Sequence, residues 1–238
     1  MLTKTVSHRN KIRLLHNRLG KEYGVPVWES GYDPLTELIF TVLSQHTSDT
    51  NRDKAFMQLR TLFPTWEQVR DAPIKSIESA IRTAGLGRIK SVRIQSLLQT
   101  ITARFGKLSL DFLKDLPTGK AHEILVSLDG VGPKTAACVL LFSLQRPVFP
   151  VDTHIFRVSK RLGLIPLSAD ADAAHQILQD LVPDNLMYPF HINLIQHGRK
   201  VCKAGRPICE LCSIRDQCNY YKQYRNPNIE YRNKRIKS

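Results

Sequence analysis

Leu128-Asp129-Gly130-Val131-Gly132-Pro133-Lys134-Thr135-Ala136 is the stretch from which the fold can be read. Two glycines around one valine, with helix-forming sequence on either side, predict a turn too tight for side chains, in which several backbone N–H groups lack partners. Pro133 suits the first position of a helix and Gly132 the cap before it. The free donors and the positive end of the second helix then converge where a phosphate can sit. The spacing therefore reads as a helix-hairpin-helix that grips a nucleic-acid backbone through Gly130, Val131 and Gly132 without reading base sequence. Lys134 falls in the first turn of the second helix, where the dipole works against an ammonium. Two readings stay open for it: an amine poised to become a nucleophile, or a point charge that binds phosphate.

Working outward, Ala136, Ala137 and Cys138 are small and Val139 to Phe142 large, as expected of a helix packed closely on others, with Cys138 a small buried hydrophobe. The first hairpin helix is expected over Lys120–Leu128. Before it, a long helix over Arg88–Phe105 carries Ile89, Val92, Leu97, Leu98, Ile101 and Phe105. Gly85-Leu86-Gly87 precedes that helix and holds an apolar residue on a loop, either buried against a neighbour or presented outward. Asp33-Pro34 offers an N-cap and a proline at the first helical position, and Leu35, Leu38, Ile39, Val42 and Leu43 follow as a helical stripe. That helix points at Ser44-Gln45-His46-Thr47-Ser48-Asp49, polar residues that either line a site or form a solvated junction.

The remaining segments are helical too. Ile12, Leu14, Leu15 and Leu19 predict a first helix stopped by Gly20, and a further helix covers Asn51 to Phe63. Thr65 to Gln68 has the capping-box pattern, with Trp66 in the core, and Pro73 begins a short helix to Ile81. Asp152 is placed to cap a helix running through Leu162, Ser168 one from Ala169 to Leu181, and a last helix covers Asn185 to Val201. No segment alternates with β-branched enrichment, so the fold class is all-α.

The chain has 238 residues, enough for one large domain or two small ones, and two are expected. With 42% hydrophobic and 24% charged residues it has the composition of an ordinary globular protein. A net charge of +14, with a pI near 9.8, points to a polyanionic partner, nucleic acid ahead of a membrane surface. No apolar stretch is long enough to span a membrane, and residues 1–10 have no signal-peptide pattern, so the protein is expected to stay where it is made.

Cys202, Cys209, Cys212 and Cys218 form C-x6-C-x2-C-x5-C among polar neighbours. Four thiolates so placed suit a [4Fe-4S] cube or a tetrahedral zinc, and the presence of a single C-x2-C pair favours iron and sulfur. Ligation would pin the ends of the loop carrying Lys203 and Arg206, which makes that loop a natural phosphate contact. Tyrosines alternate with lysines and arginines from Tyr220 onward, and residues 219–238 read as a basic tail, either disordered or an extra nucleic-acid arm.

In their order and spacing the hairpin with Lys134, Pro150-Val151-Asp152-Thr153-His154, His197-Gly198-Arg199 and the four cysteines closely resemble the endonuclease III family of helix-hairpin-helix DNA glycosylases. The likeness runs from about Pro34 to Cys218. It implies a six-helix barrel domain over 34–149, a second domain from 1–33 and 150–218 holding a [4Fe-4S] cluster, and a DNA-binding cleft between the two. By the same resemblance, Lys134 is the Schiff-base lysine and Asp152 the essential aspartate of a glycosylase with AP lyase activity, one that removes oxidised pyrimidines from duplex DNA. Leu86 matches an apolar wedge that fills the gap left by the extruded nucleotide. The second wedge is where this chain departs, with His46 in place of the family's glutamine and Gln45 one position earlier; neighbours on a regular helix point about 100° apart. Asp49 matches an acid that orders the site or caps the next helix, and His154, His191 and His197 are expected to be structural. The implied setting is cytoplasmic, with chromosomal DNA, for a protein acting as a monomer. The alternatives are a mismatch or methylated-base glycosylase of the same superfamily and, from a different class, a non-catalytic helix-hairpin-helix protein that only binds DNA.

Overall fold

The computed structural model describes residues 2–29 and 31–225. Among them are eleven α-helices and no strand. The chain divides into two compact units, 29–146 and 1–28 with 147–238.

The unit over 29–146 holds α2 (Pro34–Ser44), α3 (Asp49–Leu62), α4 (Trp66–Asp71), α5 (Ile74–Ala80), α6 (Gly87–Phe105), α7 (Thr118–Val126) and α8 (Pro133–Leu144). α2 starts where Asp33 Oδ1 accepts from the backbone N–H groups of Leu35 and Thr36, both at 3.0 Å, and Pro34 takes the first helical position. All five residues of its apolar stripe are buried. Its main partner is α8, where Ala136 and Ala137 leave room for a close approach. Thr65 and Gln68 complete the capping box that opens α4, and Trp66 is buried with its indole N–H donating to Thr36 Oγ1 at 3.0 Å. α6 is rotated from the phase its sequence suggests. Ile89 and Val92 face outward, 57% and 48% exposed, while Lys90 and Ser91 turn inward with Ile94, Leu97, Leu98 and Ile101.

Glu37 stands on α2 among those apolar residues, 7% exposed, and accepts from Thr41 Oγ1 at 3.1 Å. Burial raises its carboxyl from 4.5 to about 7, opposed by the Thr41 hydrogen bond and by the charges of Arg52 and Lys134. A folded-state pKa above the unfolded one favours the native state while the proton is on, and that advantage is lost as pH rises from about 4.5 through 7. Glu37→Gln is therefore expected to raise the melting temperature by roughly 5 °C at pH 8 and hardly at all at pH 5, from about 1–3 kcal/mol of relieved burial cost. Thermal denaturation at both pH values checks this; an equal gain at both would assign the effect to packing.

The unit over 1–28 with 147–238 holds α1 (Leu2–Tyr23), α9 (Thr153–Leu162), α10 (Ala171–Leu181) and α11 (Met187–Lys200), followed by the cysteine segment. Ile12, Leu15 and Leu19 of α1 are fully buried. Gly20 does not stop α1. It lies inside the helix where a Cβ would come within 2.9 Å of Val25 Cγ2, so the residue serves the chain's close return. α10 is capped by Asp170, whose Oδ1 accepts from Ala173 N at 2.8 Å, and not by Ser168. α11 begins at Met187 after a 3₁₀ turn over Asp184–Leu186. Of the basic tail, Tyr221–Arg225 form a π-helical turn and Tyr220 stacks within 5.0 Å of the Arg161 guanidinium; residues 226–238 lie outside the described residues. No helix among the described residues is long and apolar enough to cross a membrane.

Candidate active site and nucleic-acid interface

The hairpin joins α7 to α8 through residues 127–132. Val131 is buried and donates to Leu128 O at 3.1 Å, which closes the turn, while Gly130 takes the left-handed conformation (φ 75°). That φ is one L side chains rarely adopt, and a Cβ on Gly130 would also sit 2.7 Å from Arg93 Nε, so the arginine would have to shift. Gly132 caps α8, and nothing lies within 4 Å of where its Cβ would be. The first intrahelical bond runs from Ala136 N to Gly132 O at 3.0 Å, so the N–H groups of Lys134 and Thr135 precede it and point out of the helix end. An open depression lined by residues 126–132 runs over this turn. Lys134 is half-buried in the first turn of α8, near enough to Glu37 for their charges to interact.

Two loops of the same unit carry the wedge candidates. Leu86 is 53% exposed with φ 51°, and His46 is exposed with φ 53°; both are left-handed, a conformation that non-glycine residues rarely adopt. The outward reading of Leu86 is thus the one observed. The backbone after α2 is irregular, so the regular 100° spacing of neighbours does not hold there. Gln45 turns aside and accepts from Arg93 Nη1 at 3.0 Å, leaving His46 as the outward side chain. Asp49 does not cap α3: Ser48 does, with Oγ accepting from Asn51 N at 3.3 Å, and Asp49 pairs with Arg52 at 3.1 Å.

Asp152 belongs to the other unit. It caps α9, Oδ1 accepting from Ile155 N at 2.7 Å, and the cap does not engage its second oxygen. His191 Nδ1 pairs with Pro150 O at 3.0 Å just upstream, and Arg157 reaches His154 Nδ1 at 3.1 Å and Gly198 O at 2.9 Å. His197 bridges Tyr23 Oη and Cys212 Sγ, at 3.1 and 3.5 Å, and burial lowers it to about 4, so it is neutral. All three histidines have structural partners.

Cys202, Cys209, Cys212 and Cys218 line one small pocket, walled by Val158, Leu162, Val201 and Ile214. Burial pushes the Cys212 thiol up to about 12 and raises Cys218. Arg161 anchors the loop that follows Cys202, with bonds to Cys202 Sγ (3.3 Å), Lys203 O (2.8 Å) and Ala204 O (2.9 Å), while Cys218 Sγ donates to Arg161 O at 3.2 Å. Lys203 and Arg206 stand exposed on that loop. Among the described residues no three His, Cys, Asp or Glu side chains group so as to hold one metal ion. The donor set, four cysteine thiols lining one pocket, fits an iron-sulfur cluster.

Lys90, Arg93 and Glu37 were not singled out from the sequence. Each is a charged residue on a helix that also carries core side chains, and for Lys90 the signal was there, since it falls at i−4 from Ile94 on the buried face.

Residues 39–184 match the family model described as HhH-GPD superfamily base excision DNA repair protein. An Arabidopsis thaliana relative, a DNA glycosylase by name, is 40% identical over 168 residues, 71% of this chain and 57% of its own length. Endonuclease III of Thermotoga maritima is 31% identical over 203 residues, covering 85% of this chain and 91% of that protein. A trapped covalent intermediate of endonuclease III with DNA superposes with a TM-score of 0.78 at 27% identity, over 92% of this chain and 99% of that one. The chain belongs to the HhH-GPD superfamily of base excision DNA repair proteins, as an endonuclease III-like DNA glycosylase/AP lyase.

Proposed function

We propose that this glycosylase/AP lyase removes oxidised pyrimidines from duplex DNA, with Lys134 as nucleophile. The amine of Lys134 attacks C1′ of an extruded nucleotide, and the bond to the base breaks with its electron pair leaving on the base. One amine proton passes to O4′ as the C1′–O4′ bond breaks and the sugar ring opens to an iminium, which acidifies the C2′ proton. Its removal expels the 3′ phosphate, cutting the strand, and water then releases the enzyme from the imine. Asp152 stabilises the positive charge that develops on the sugar and assists proton transfer, using the oxygen that its cap leaves over. The single observation that carries this reading is the placement of Lys134: half-buried, in the first turn of α8, directly after a turn whose backbone donors suit a phosphate.

The supporting parts follow from their positions. Gly130, Val131 and Gly132 hold the DNA backbone, and Leu86 and His46 enter the duplex where the nucleotide has left, Gln45 bracing the second loop through Arg93. Cys202, Cys209, Cys212 and Cys218 hold a [4Fe-4S] cluster that fixes the loop presenting Lys203 and Arg206 to phosphate. When bound, the cluster supplies folding energy to that segment and no step of the excision. The protein works as a monomer, in the compartment that holds chromosomal DNA.

A panel of duplexes, each with one modified base, tests the substrate class. Oxidised pyrimidines are expected to be cut fastest; faster release of thymine from G·T mismatches, or of 5-methylcytosine, would move the protein to the mismatch or methylated-base class. In the same panel, His46→Gln is expected to change the ranking of opposite bases by about threefold or more, because the outward side chain meets the orphaned base. An unchanged ranking with unchanged turnover would remove His46 from that role.

A further inference from the structure

Lys90 has no part in the chemistry above, yet it is 2% exposed. Its ammonium has three donors and three acceptors: Leu43 O at 2.8 Å, Thr47 Oγ1 at 2.7 Å and Ala84 O at 2.9 Å. Leu43 lies in the last turn of α2, Thr47 directly follows His46, and Ala84 stands two residues before Leu86. The backbone N–H of Lys90 also donates to Leu86 O at 2.9 Å. Thr47 Oγ1 reaches both Gln45 O, at 3.1 Å, and Ala84 O, so the same hydroxyl closes the gap between the two loops. Burial lowers Lys90 to about 8, which leaves it charged at neutral pH with all three protons available.

The loops it joins need such a fastening. His46 and Leu86 are both non-glycine residues held at positive φ, a conformation that persists only where surrounding contacts over-determine it. The two loops meet at one buried cation.

We propose that Lys90 is a positioning residue for nucleotide extrusion, fixing the two loops to each other so that Leu86 and His46 enter the duplex as one wedge. The proposal rests on the reading of those two residues as wedges in a glycosylase/AP lyase. It separates extrusion from bond-making, because Lys90 touches neither Lys134 nor the hairpin turn in any bond described above.

The test is Lys90→Met, which keeps an unbranched chain and removes all three donors. Three readouts are compared with the wild type: single-turnover cleavage of a duplex with one oxidised pyrimidine, borohydride trapping on a single-stranded oligonucleotide with an abasic site, and fluorescence of 2-aminopurine paired opposite a tetrahydrofuran site. Duplex cleavage is expected to fall roughly tenfold or more and the fluorescence rise to be lost, while single-strand trapping stays within about twofold. A folded variant with a normal duplex rate and normal fluorescence overturns the proposal, and so does an equal loss on both substrates. Should Lys90→Met fail to fold, Thr47→Val removes one acceptor at nearly constant shape. It is expected to show the same split at about threefold or more, and an unchanged duplex rate there also overturns the proposal. Failure of the underlying reading looks different: wild-type protein then traps on neither substrate, or Leu86→Ala with His46→Ala cleaves duplex as fast as wild type.

Discussion

Replacing Lys134 with alanine is expected to abolish the borohydride-trapped adduct with abasic-site DNA and to lower strand cleavage by on the order of 10³-fold or more, because the bond to C1′ is proposed to form at its amine. Binding should survive. The backbone donors of the hairpin are untouched, Gly132 still caps α8, and alanine is a good helix former in the first turn of that helix. Affinity for abasic-site duplex is therefore expected to fall only by about tenfold or less, with a salt dependence shallower by about one counterion, the share of one lost cation. Trapping assays and salt titrations measure the two effects separately. Loss of binding in parallel with cleavage would return Lys134 to the phosphate-binding role that its sequence position also allows.

The second large effect is expected at the cysteines. Residues 202–218 contain only short 3₁₀ turns, and besides the thiols few of their side chains are buried, Ile214 chief among them. Such a segment has little burial to set against the entropy of ordering it, and the proposed cluster would supply the difference by ligation. Cys218→Ser is expected to give protein without the brown colour and visible absorption of an iron-sulfur centre, with the 202–218 segment open to protease and duplex affinity down by about tenfold or more. The affinity loss follows because Arg161, which holds the carbonyls of Lys203 and Ala204, takes its place partly from contacts to Cys202 and Cys218. Colourless wild-type protein carrying one equivalent of zinc and a folded loop would contradict the cluster while leaving the chemistry at Lys134 untouched.

The hairpin, the caps at Asp33 and Asp152 and the buried stripe of α2 could all be read from local sequence, since each depends on residues within one or two turns. What local sequence could not show was set by partners far along the chain. Lys90 turns inward because Leu43 and Thr47, more than forty residues earlier, offer it acceptors, and the rest of α6 follows that rotation to leave Ile89 and Val92 outside. Which of Gln45 and His46 faces out depends on Arg93, forty-eight residues beyond Gln45, and on the left-handed backbone at His46. Ser168 and Asp170 are both good caps, and only the hydrogen bond to Ala173 distinguishes them. The charged residue at 37 breaks no helical pattern, so its burial was invisible without α8 packed alongside.

The most direct measurement is to reduce the enzyme on abasic-site DNA with borohydride, digest the adduct with protease and nuclease, and locate the added sugar mass by tandem mass spectrometry. One modified residue is expected, Lys134, as the proposed nucleophile. A sugar found on any other residue, or base release with no adduct at all, would contradict it.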